Sequence, residues 1–369
     1  MHRQNQSPST APQAAAAAVS LRYVNDDEAG ISRHRSGKRF RYRDTNGRWL
    51  DDPSTIARLD ALAIPPAWTD VWICSDARGH VQATGRDQRG RKQYRYHAKW
   101  SEVRGEDKFA SLRDFAKALL KLRRRANLDL GKRGLPRDKV IAAVVWLLDN
   151  AMIRVGSTSY ARDNGSFGLT TLRNRHVKVD GSELRFAFKG KSGKDWRLRL
   201  TDRRMARIIR QIQELPGQSL FQYLGDDSSR STVTSDEVND YIRRATDGPF
   251  SSKDFRTWGG TVRALALFGG RPLPEDKRAA AVACNAAIDK VAHQLGNTRA
   301  VCKKGYIHPE VIASWLQGRL PAELAAIRRR RNAWMDADEQ IAAQWLERQE
   351  RSRRGRDASS AQSGPSRVR

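Results

Sequence analysis

Arginine, lysine and tyrosine side chains are the residues of this sequence that could carry out phosphoryl transfer. The motifs of nucleotide and metal chemistry are missing: Gly190-Lys191-Ser192-Gly193-Lys194 lacks the leading glycine of a phosphate-binding loop, and neither His-Glu-x-x-His nor Asp-x-Asp-x-Asp-Gly occurs. We find no convincing carboxylate pair for a two-metal nuclease. An enzyme that acts on a phosphodiester without metal needs arginines on the nonbridging oxygens, a lysine or histidine as proton donor, and a side-chain nucleophile.

The charge of the chain indicates a polyanionic partner. Its 369 residues include 69 Lys and Arg against 41 Asp and Glu, a formal net charge of +28. Such an excess favours nucleic acid first and an acidic membrane surface second. No run approaches the roughly 18 to 20 apolar residues that span a bilayer, so we expect no membrane partner. The chain has three cysteines, Cys74, Cys284 and Cys302, which lie far apart. Their odd number and spacing predict a reducing compartment without a disulfide framework, and no spacing of cysteine and histidine resembles a zinc site.

The excess cations form three clusters. They lie at residues 31–50, 85–104 and 117–139, and aromatic side chains are interleaved with the first two. Any single lysine or arginine could be a solvated surface residue, whereas three clusters in two domains favour contact with phosphates and release of counterions. Opposed basic faces on two domains predict a clamp around duplex DNA, with its hinge near residues 105–108.

The spacing of apolar residues divides the chain into a β-rich part and a helical part. Alternation at 39–43 and the Asn46-Gly47 turn are typical of a small antiparallel β domain, which we place at residues 21–105. Helical spacing dominates residues 106–320, except for strands between 171 and 200. We therefore predict an α+β fold: a small N-terminal antiparallel β domain plus a larger, mainly α catalytic domain with an inserted small β-sheet. Beyond these domains we predict a disordered tail at 1–20, a charged helical extension at 321–349 and a basic disordered tail at 350–369.

Six short motifs could supply the chemistry described above. In chain order they are Gly90-Arg91-Lys92-Gln93-Tyr94-Arg95-Tyr96, Met152-Ile153-Arg154-Val155-Gly156, Gly168-Leu169-Thr170-Thr171-Leu172, Phe188-Lys189-Gly190-Lys191, Lys253-Asp254-Phe255-Arg256-Thr257-Trp258, and Leu295-Gly296-Asn297-Thr298 followed by Tyr306. Each motif alone is a weak pattern. The six in this order, over about residues 20–318, resemble the type IB DNA topoisomerases of the bacterial, poxvirus-like group.

The resemblance implies a nucleophile and the groups that bind the reacting phosphate. Tyr306 would attack a backbone phosphorus, form a 3′-phosphotyrosyl link and expel a 5′-hydroxyl. Arg154 and Arg256 would bind the nonbridging oxygens, where a guanidinium fits better than an ammonium. The poxvirus enzymes carry histidine where this chain has Asn297. We therefore expect Asn297 to donate a neutral hydrogen bond to a phosphate oxygen and to take no part in acid–base chemistry.

Two lysines complete the set of residues that the resemblance implies. Lys191 would protonate the departing 5′-oxygen as general acid from a hairpin loop. Lys253 would assist the proton relay. Lys189 and Lys194 are rivals on the same hairpin, and the choice of Lys191 depends on the Phe-x-Gly-Lys match.

Each residue assigned by the resemblance also has a structural explanation when it is considered alone. Arg154 could be a charge at a helix C-terminus, where the helix dipole favours a cation. Arg256 could be a surface ion-pair partner of Asp254. Tyr306 could be a half-buried tyrosine before a helix that Pro309 opens. The joint pattern favours the catalytic assignment.

The resemblance also implies contacts with DNA away from the reacting atoms. In the smaller domain the contacting residues would be Arg91, Lys92, Gln93, Tyr94 and Tyr96. In the larger domain Tyr160 would contact the backbone near the cleavage site. Ser157 stands where we expect a basic residue, which predicts a different recognition at that point.

The resemblance implies a monomeric enzyme that relaxes positive and negative supercoils in double-stranded DNA. The phosphotyrosyl bond conserves the energy of the phosphodiester, so the nicked strand would rotate and religate without ATP, without another cofactor and without a required divalent metal. We expect a cytoplasmic, nucleoid-associated bacterial protein.

Two alternatives to this function stay open at the level of the sequence. A tyrosine site-specific recombinase uses similar chemistry on a related fold, but it usually shows His-x-x-Arg where this chain has Lys253-x-x-Arg256. A non-enzymatic basic DNA-binding protein would need the same positive charge and no nucleophile.

Overall fold

The chain folds into two compact units. The computed structural model describes residues 11–37, 39–88, 90–158, 161–162, 165–225, 229–328 and 332–362. The units are Met1–Lys108 and Phe109–Arg369. Their boundary lies close to the one predicted between residues 105 and 106.

The N-terminal unit is built around a five-stranded antiparallel sheet of order β2-β1-β3-β4-β5. Its strands are β1 (Ile31–Ser36), β2 (Arg39–Arg43), β3 (Thr69–Ile73), β4 (Val81–Arg86) and β5 (Lys92–Tyr96). Its helices are α1 (Ala11–Ala18), α2 (Pro53–Ala61) and the first part of α3 (Ala98–Ala110). The antiparallel sheet confirms the β-rich fold predicted for this part of the chain.

The alternation of residues 39–43 separates the two faces of β2. Tyr42 is buried in the sheet core together with Ile31, Leu59 and Ile73. Its hydroxyl donates to Asp60 at 2.7 Å. The arginines of the strand are exposed on the other face, as expected for a half-buried strand.

The poly-alanine segment differs from the disordered tail that we predicted at residues 1–20, of which residues 1–10 lie outside the described residues. Residues Ala11–Ala18 form α1, and Ala16 is fully buried in a small cluster with Leu21 and Trp100. Alanine has the highest intrinsic helix propensity, and its short side chain allows close packing against an indole. The disorder predicted from composition is therefore wrong for residues 11–18, which are helical.

The C-terminal unit is mainly helical and contains a three-stranded antiparallel sheet of order β6-β7-β8. The strands are β6 (Val177–Asp180), β7 (Glu183–Lys189) and β8 (Asp195–Thr201), with a separate pair β9 (Gln222–Leu224) and β10 (Arg230–Thr232). The helices are α4 (Leu112–Leu130), α5 (Arg137–Ala151), α6 (Arg203–Gln213), α7 (Ser235–Thr246), α8 (Ser252–Gly269), α9 (Lys277–Gln294), α10 (Arg299–Gly305), α11 (Pro309–Leu316), α12 (Leu320–Ala325) and α13 (Ala337–Gln362). The mainly α domain with an inserted small sheet is confirmed; the β9–β10 pair was not predicted.

The most apolar run of the sequence forms the centre of this unit. Nearly every residue of Val140–Leu148 is buried in α5, which packs against the apolar face of α4. The helix ends at Ala151, and Met152 then adopts the left-handed conformation with φ +50°. The left-handed residue turns the chain away from the axis of α5, so that the following residues, among them Arg154, leave the helix.

The C-terminal extension differs, up to residue 362, from the continuous helical segment and disordered tail that we predicted; residues 363–369 lie outside the described residues. The helix breaks after α12 and restarts at α13, which extends to residue 362. Asp336 and Glu339 form reciprocal hydrogen bonds at the start of α13, with Asp336 Oδ1 accepting from the Glu339 amide at 2.8 Å. Trp345 is fully buried and donates to Glu323 at 2.8 Å. Helix capping and the buried indole therefore determine the helix boundaries here.

A largely buried ion network joins α13 to the rest of the unit. The guanidinium of Arg123 on α4 contacts Asp149 on α5 at 2.7 Å and Glu339 on α13 at 2.6 Å. Trp258 on α8 donates its indole N–H to Glu339 at 3.0 Å. Burial raises the pKa of Asp149, whereas hydrogen bonds from Arg123 lower the pKa of Glu339 against the effect of its own burial. Arg123 therefore joins α4, α5 and α13, and Glu339 adds α8 through Trp258.

We expect Glu339→Ala to lower the free energy of unfolding by about 2–4 kcal/mol, because the partly buried Arg123 then keeps only Asp149 as an anionic partner. The matched control is Glu347→Ala on the same helix, where an exposed pair with Arg351 should contribute less than about 1 kcal/mol. Urea denaturation of both variants measures the difference. Equal losses in the two variants would contradict a structural role for the network.

Candidate active site

The loop after α5 positions Arg154. The amide of Leu169 donates to the Arg154 carbonyl at 2.9 Å, and the amide of Thr170 donates to the Val155 carbonyl at 2.7 Å. The two segments approach so closely that a Cβ added at Gly168 would lie 2.5 Å from the backbone nitrogen of Gly156. The Gly-Leu-Thr motif therefore supports the backbone that carries Arg154.

Helix α8 places Arg256 in its second turn. Asp254 accepts from the Ser251 amide at 2.8 Å and so caps the helix. Arg256 is only 3% exposed and donates to the carbonyls of Met152 and Leu295, the latter at 2.6 Å. The surface ion pair with Asp254 that we considered from the sequence is therefore wrong, since Arg256 is buried and Asp254 caps its helix.

The environment of Arg256 lowers the pKa of its guanidinium to about 10. Burial is the largest cause, and the neighbouring charge of Arg154 acts in the same direction. Tyr306 opposes both effects through a hydrogen bond and its charge when ionised. The guanidinium still carries its full charge near neutral pH, where a desolvated cation attracts an anion strongly.

The turn after α9 positions Asn297 next to Arg154. Gly296 has φ +57°, and the Asn297 amide donates to the Ala292 carbonyl at 2.8 Å. The Asn297 Oδ1 accepts from Arg154 Nη2 at 2.5 Å. Within the described part of the chain, the buried Nδ2 of Asn297 has no hydrogen-bond partner. The amide thus orients one arginine and keeps a donor for a further acceptor.

Tyr306 follows the short helix α10 and lies against Arg256. The guanidinium carbon of Arg256 is 5.0 Å from the centre of the Tyr306 ring. The Tyr306 amide donates to Cys302 at 2.9 Å, and Thr261 on α8 donates to the Tyr306 carbonyl at 3.4 Å. A Cβ added at Gly260 would lie 2.5 Å from that carbonyl oxygen. Helix α8 therefore positions Arg256 and Tyr306 together.

One of the two predicted lysines, Lys191, follows the end of β7, and the other, Lys253, lies at the start of α8. Lys191 is exposed in the loop between β7 and β8, where Ser192 has φ +65° and Gly193 has φ +73°. Lys253 is exposed in the first turn of α8, three residues before Arg256. Among the described residues, neither lysine side chain forms a hydrogen bond or an ion pair. The structure thus brings Arg154, Arg256, Asn297 and Tyr306 into one cluster and leaves both lysines exposed near their motifs.

Burial shifts the pKa values of two side chains close to Tyr306 in the sequence, Cys302 and His308. Burial lowers the pKa of His308 to about 4, and its ring packs against Phe109 and Trp345. Burial also raises the pKa of the Cys302 thiol to about 11. Cys302 is fully buried and packs as a small apolar side chain in the core, and His308 is neutral at physiological pH.

The residues predicted to contact DNA from the smaller domain fall into two groups. Tyr94 and Tyr96 are 45% and 48% exposed and stack with their ring centroids 5.8 Å apart. Lys92 forms a 2.6 Å ion pair with Asp26. Arg91 and Gln93 both bind Asp87 at the β4–β5 turn, at 2.6 and 2.9 Å respectively. Tyr160 lies outside the described residues.

Strand β2, in the first of the three predicted basic clusters, carries a second set of candidate DNA contacts that the resemblance did not imply. Arg39, Arg41 and Arg43 are exposed on one face of β2. The guanidinium carbons of Arg41 and Arg43 lie 4.3 and 4.4 Å from the centre of the Trp49 ring. The alternation of the sequence from 39 to 43 already separates these cations from the buried Tyr42 and would have identified them.

Within the described ranges, no group of three or more histidine, cysteine, aspartate and glutamate side chains could hold a metal ion. No described helix is both long and apolar enough to cross a membrane.

Comparison with known proteins defines the class. Residues 97–326 match the family of the eukaryotic DNA topoisomerase I catalytic core, and residues 39–87 match the N-terminal domain of bacterial DNA topoisomerase IB. DNA topoisomerase 1B of Acanthamoeba polyphaga mimivirus is 34% identical over 287 residues, which cover 75% of this chain and 85% of the relative. DNA topoisomerase 1B of vaccinia virus strain Copenhagen and DNA topoisomerase I of monkeypox virus are each 21% identical over 291 residues, 76% of this chain and 88% of theirs.

The fold and the four-residue cluster thus occur in a chain whose larger unit matches a topoisomerase I catalytic core. The chain belongs to the type IB DNA topoisomerase family, in its poxvirus-like group, and is an isomerase. This membership confirms the resemblance read from the six motifs. It supports neither the recombinase nor the non-enzymatic DNA-binding protein.

We expect Gly260→Ala to slow DNA cleavage by about 100-fold while the protein stays folded. Alanine is a better helix former than glycine by about 1 kcal/mol, so helix propensity does not explain a loss of activity. The added methyl group would instead displace the Tyr306 backbone, and a displacement of about 1 Å can lower a reaction rate by about 100-fold. The matched control is Gly270→Ala after the end of α8, where an added Cβ would meet only the Ala266 carbonyl at 3.5 Å. Single-turnover cleavage of a labelled duplex measures both. A cleavage rate of Gly260→Ala equal to that of the control would contradict this account of Tyr306.

Proposed function

We propose that Arg154, Arg256, Asn297 and Tyr306, here called the transesterification cluster, cleave and rejoin one strand of duplex DNA. The Tyr306 oxygen attacks a backbone phosphorus, and its proton leaves as the new P–O bond forms. The bond between phosphorus and the 5′-oxygen breaks, and that oxygen takes up a proton. The product is a 3′-phosphotyrosyl link and a free 5′-hydroxyl, and religation is the same step in reverse.

The single observation that carries this proposal is the position of the buried Arg256 against Tyr306, at 5.0 Å from guanidinium carbon to ring centre. A cation next to a phenol lowers the cost of ionising it. The same guanidinium stabilises the charge that develops on the nonbridging oxygens. Arg154 adds a second guanidinium, and its hydrogen bond to Asn297 couples the two groups.

The unpaired donor of Asn297 supports a contact with a phosphate oxygen. A buried donor without an acceptor costs about 1–3 kcal/mol, which a bound phosphate oxygen would recover. The Oδ1 of the same amide accepts from Arg154, which a protonated histidine could not do. Asn297 therefore acts as a neutral donor and takes no part in proton transfer.

Lys191 is the proposed general acid, and Lys253 assists the proton relay. Both are exposed; Lys253 lies on the same helix as Arg256, and Lys191 follows Gly190, which lies against Trp196 as Gly296 does. An ammonium on a loop can reach the departing 5′-oxygen of a bound strand and give it a proton, which would contribute about 10²–10⁴-fold to the rate.

The two units would act on DNA as a clamp. The exposed arginines of β2 and the stacked pair Tyr94–Tyr96 supply cations and aromatic faces in the smaller unit. Because the phosphotyrosyl bond keeps the energy of the phosphodiester, a monomer would relax supercoils of either sign without ATP or a divalent metal. Such an enzyme would work on the bacterial nucleoid in the cytoplasm.

We expect the protein to relax negatively and positively supercoiled plasmid in EDTA without nucleotide, and Tyr306→Phe to lose relaxation while it still binds plasmid. Tyr223→Phe is the matched control, since its hydroxyl bonds Glu237 outside the cluster. Denaturing gels of 5′-labelled and 3′-labelled duplexes then identify the strand end that is attached to protein. Relaxation by Tyr306→Phe, or attachment at a 5′-phosphate, would overturn the proposal.

We expect replacement of Arg39, Arg41 and Arg43 by alanine to weaken DNA binding and its dependence on salt. Each lost phosphate contact makes the slope of log affinity against log salt concentration shallower by about 1. The slope of the triple variant should therefore be shallower by about 3. The matched control removes the same charge from α6, at Arg203, Arg207 and Arg210, outside the three predicted clusters. Equal changes in slope for both triple variants would contradict a dedicated β2 interface.

A further inference from the structure

The indole of Trp196 occupies space next to two glycines from different motifs. A Cβ added at Gly190 would lie 2.6 Å from Trp196 Cδ1, and a Cβ added at Gly296 would lie 2.7 Å from Trp196 Cζ2. Real Cβ atoms do not approach other atoms so closely, so both positions require glycine while the indole stays in place. One side chain therefore contacts the β7–β8 loop and the turn after α9 at once.

The residues that follow these two glycines are the ones that the proposed chemistry needs. Lys191 follows Gly190, whose amide donates to the Lys194 carbonyl at 2.8 Å across the loop. Asn297 follows Gly296, and its Oδ1 accepts from Arg154. The indole thus lies between the backbone that carries the proposed general acid and the backbone that carries a phosphate-binding group.

The strand pairing holds Trp196 in this position. Trp196 is the second residue of β8 and pairs with Phe188 of β7. The two rings stack with centroids 6.0 Å apart and planes 7° from parallel. A rigid, partly buried ring at the base of the hairpin fixes the direction in which the exposed loop leaves the sheet.

We propose that Trp196 is a positioning residue that sets the Lys191 loop relative to the Asn297 turn. The inference rests on the proposed role of Lys191 as general acid. Within the loop Ser192 and Gly193 are left-handed, and the Lys191 side chain has no hydrogen-bond or ion-pair partner in the described structure. Contact between the indole and the Gly296 turn supplies the restraint, so that the ammonium is held where the 5′-oxygen leaves.

The test compares cleavage of two duplexes that differ in one atom. The first has the natural 5′-oxygen at the scissile bond, and the second has sulfur there, which leaves as a thiolate and needs no general acid. We expect Trp196→Ala to slow cleavage of the oxygen substrate by about 100-fold, since displacement of a catalytic group by about 1 Å can cost that factor. The same variant should cleave the sulfur substrate at nearly the wild-type rate.

Trp196→Phe is the second variant, in case Trp196→Ala does not fold. Phenylalanine keeps the stack on Phe188 but cannot reach both glycines. It should show the same dependence on the leaving atom with a smaller loss. Thermal unfolding of both variants confirms that the folded protein is compared.

Leu198→Ala is the matched control for packing in the sheet. Leu198 lies two residues along β8, on the same face as Trp196, and pairs with Phe186. We expect it to lower stability without a difference between the oxygen and sulfur substrates. A Trp196 variant that is slow on both substrates, or a Leu198→Ala protein with the same dependence on the leaving atom, would overturn the positioning role.

Lys191→Ala separates failure of this inference from failure of the proposed function. If Lys191 is the general acid, Lys191→Ala recovers on the sulfur substrate, whereas Arg154→Ala stays slow on both. Recovery of Lys191→Ala without recovery of Trp196→Ala rejects only the positioning role. No recovery of Lys191→Ala rejects the general-acid assignment and the inference with it.

Discussion

The burial of the Arg256 guanidinium is the constraint on which the rest of the catalytic unit depends. A cation removed from water is costly unless polar groups surround it, and its described hydrogen-bond partners include carbonyl groups at the end of α5 and at the end of α9. Carbonyl dipoles compensate the charge only in part. The side chain therefore keeps a capacity to attract an anion, and it holds the ends of two helices within reach of Tyr306 on a third segment.

Close backbone approach explains why glycine occupies two positions that support the reactive side chains. Gly168 lets the Leu169 and Thr170 segment bond to the backbone of Arg154, and Gly260 lets α8 contact the carbonyl of Tyr306. In both cases a methyl group would occupy the place of a backbone atom. These glycines act by allowing two segments that carry reactive side chains to touch.

The sequence predicted much of the architecture, because α5 is a continuous apolar run and β7 alternates buried and exposed residues. It did not predict helix α1, because an alanine-rich composition is also typical of disordered segments, whereas Ala16 is buried in a cluster with Trp100. It also assigned Lys92 to DNA without its ion pair to Asp26, because a partner 66 residues away leaves no local pattern.

The site residues were named through the order of the motifs; no single spacing identified them. Residue types alone left Arg256 as a possible surface charge, and only packing shows that it is buried. Trp196 received no role from the sequence at all, since its importance comes from two contacts that join segments about a hundred residues apart. Contacts between distant segments are therefore what the sequence could not supply.

The contacts of α13 show that the reactive side chains depend on a helix outside the segment that contains them. The match to the topoisomerase I catalytic core ends at residue 326, and every residue of the transesterification cluster lies before that point. Yet Glu339 completes the charge balance around Arg123 and binds Trp258, two residues beyond Arg256 on α8. A chain that stopped at residue 326 would keep all its reactive side chains and would lose the group that anchors their supporting helix. The structural unit that supports the reactive side chains accordingly extends beyond the segment that contains them.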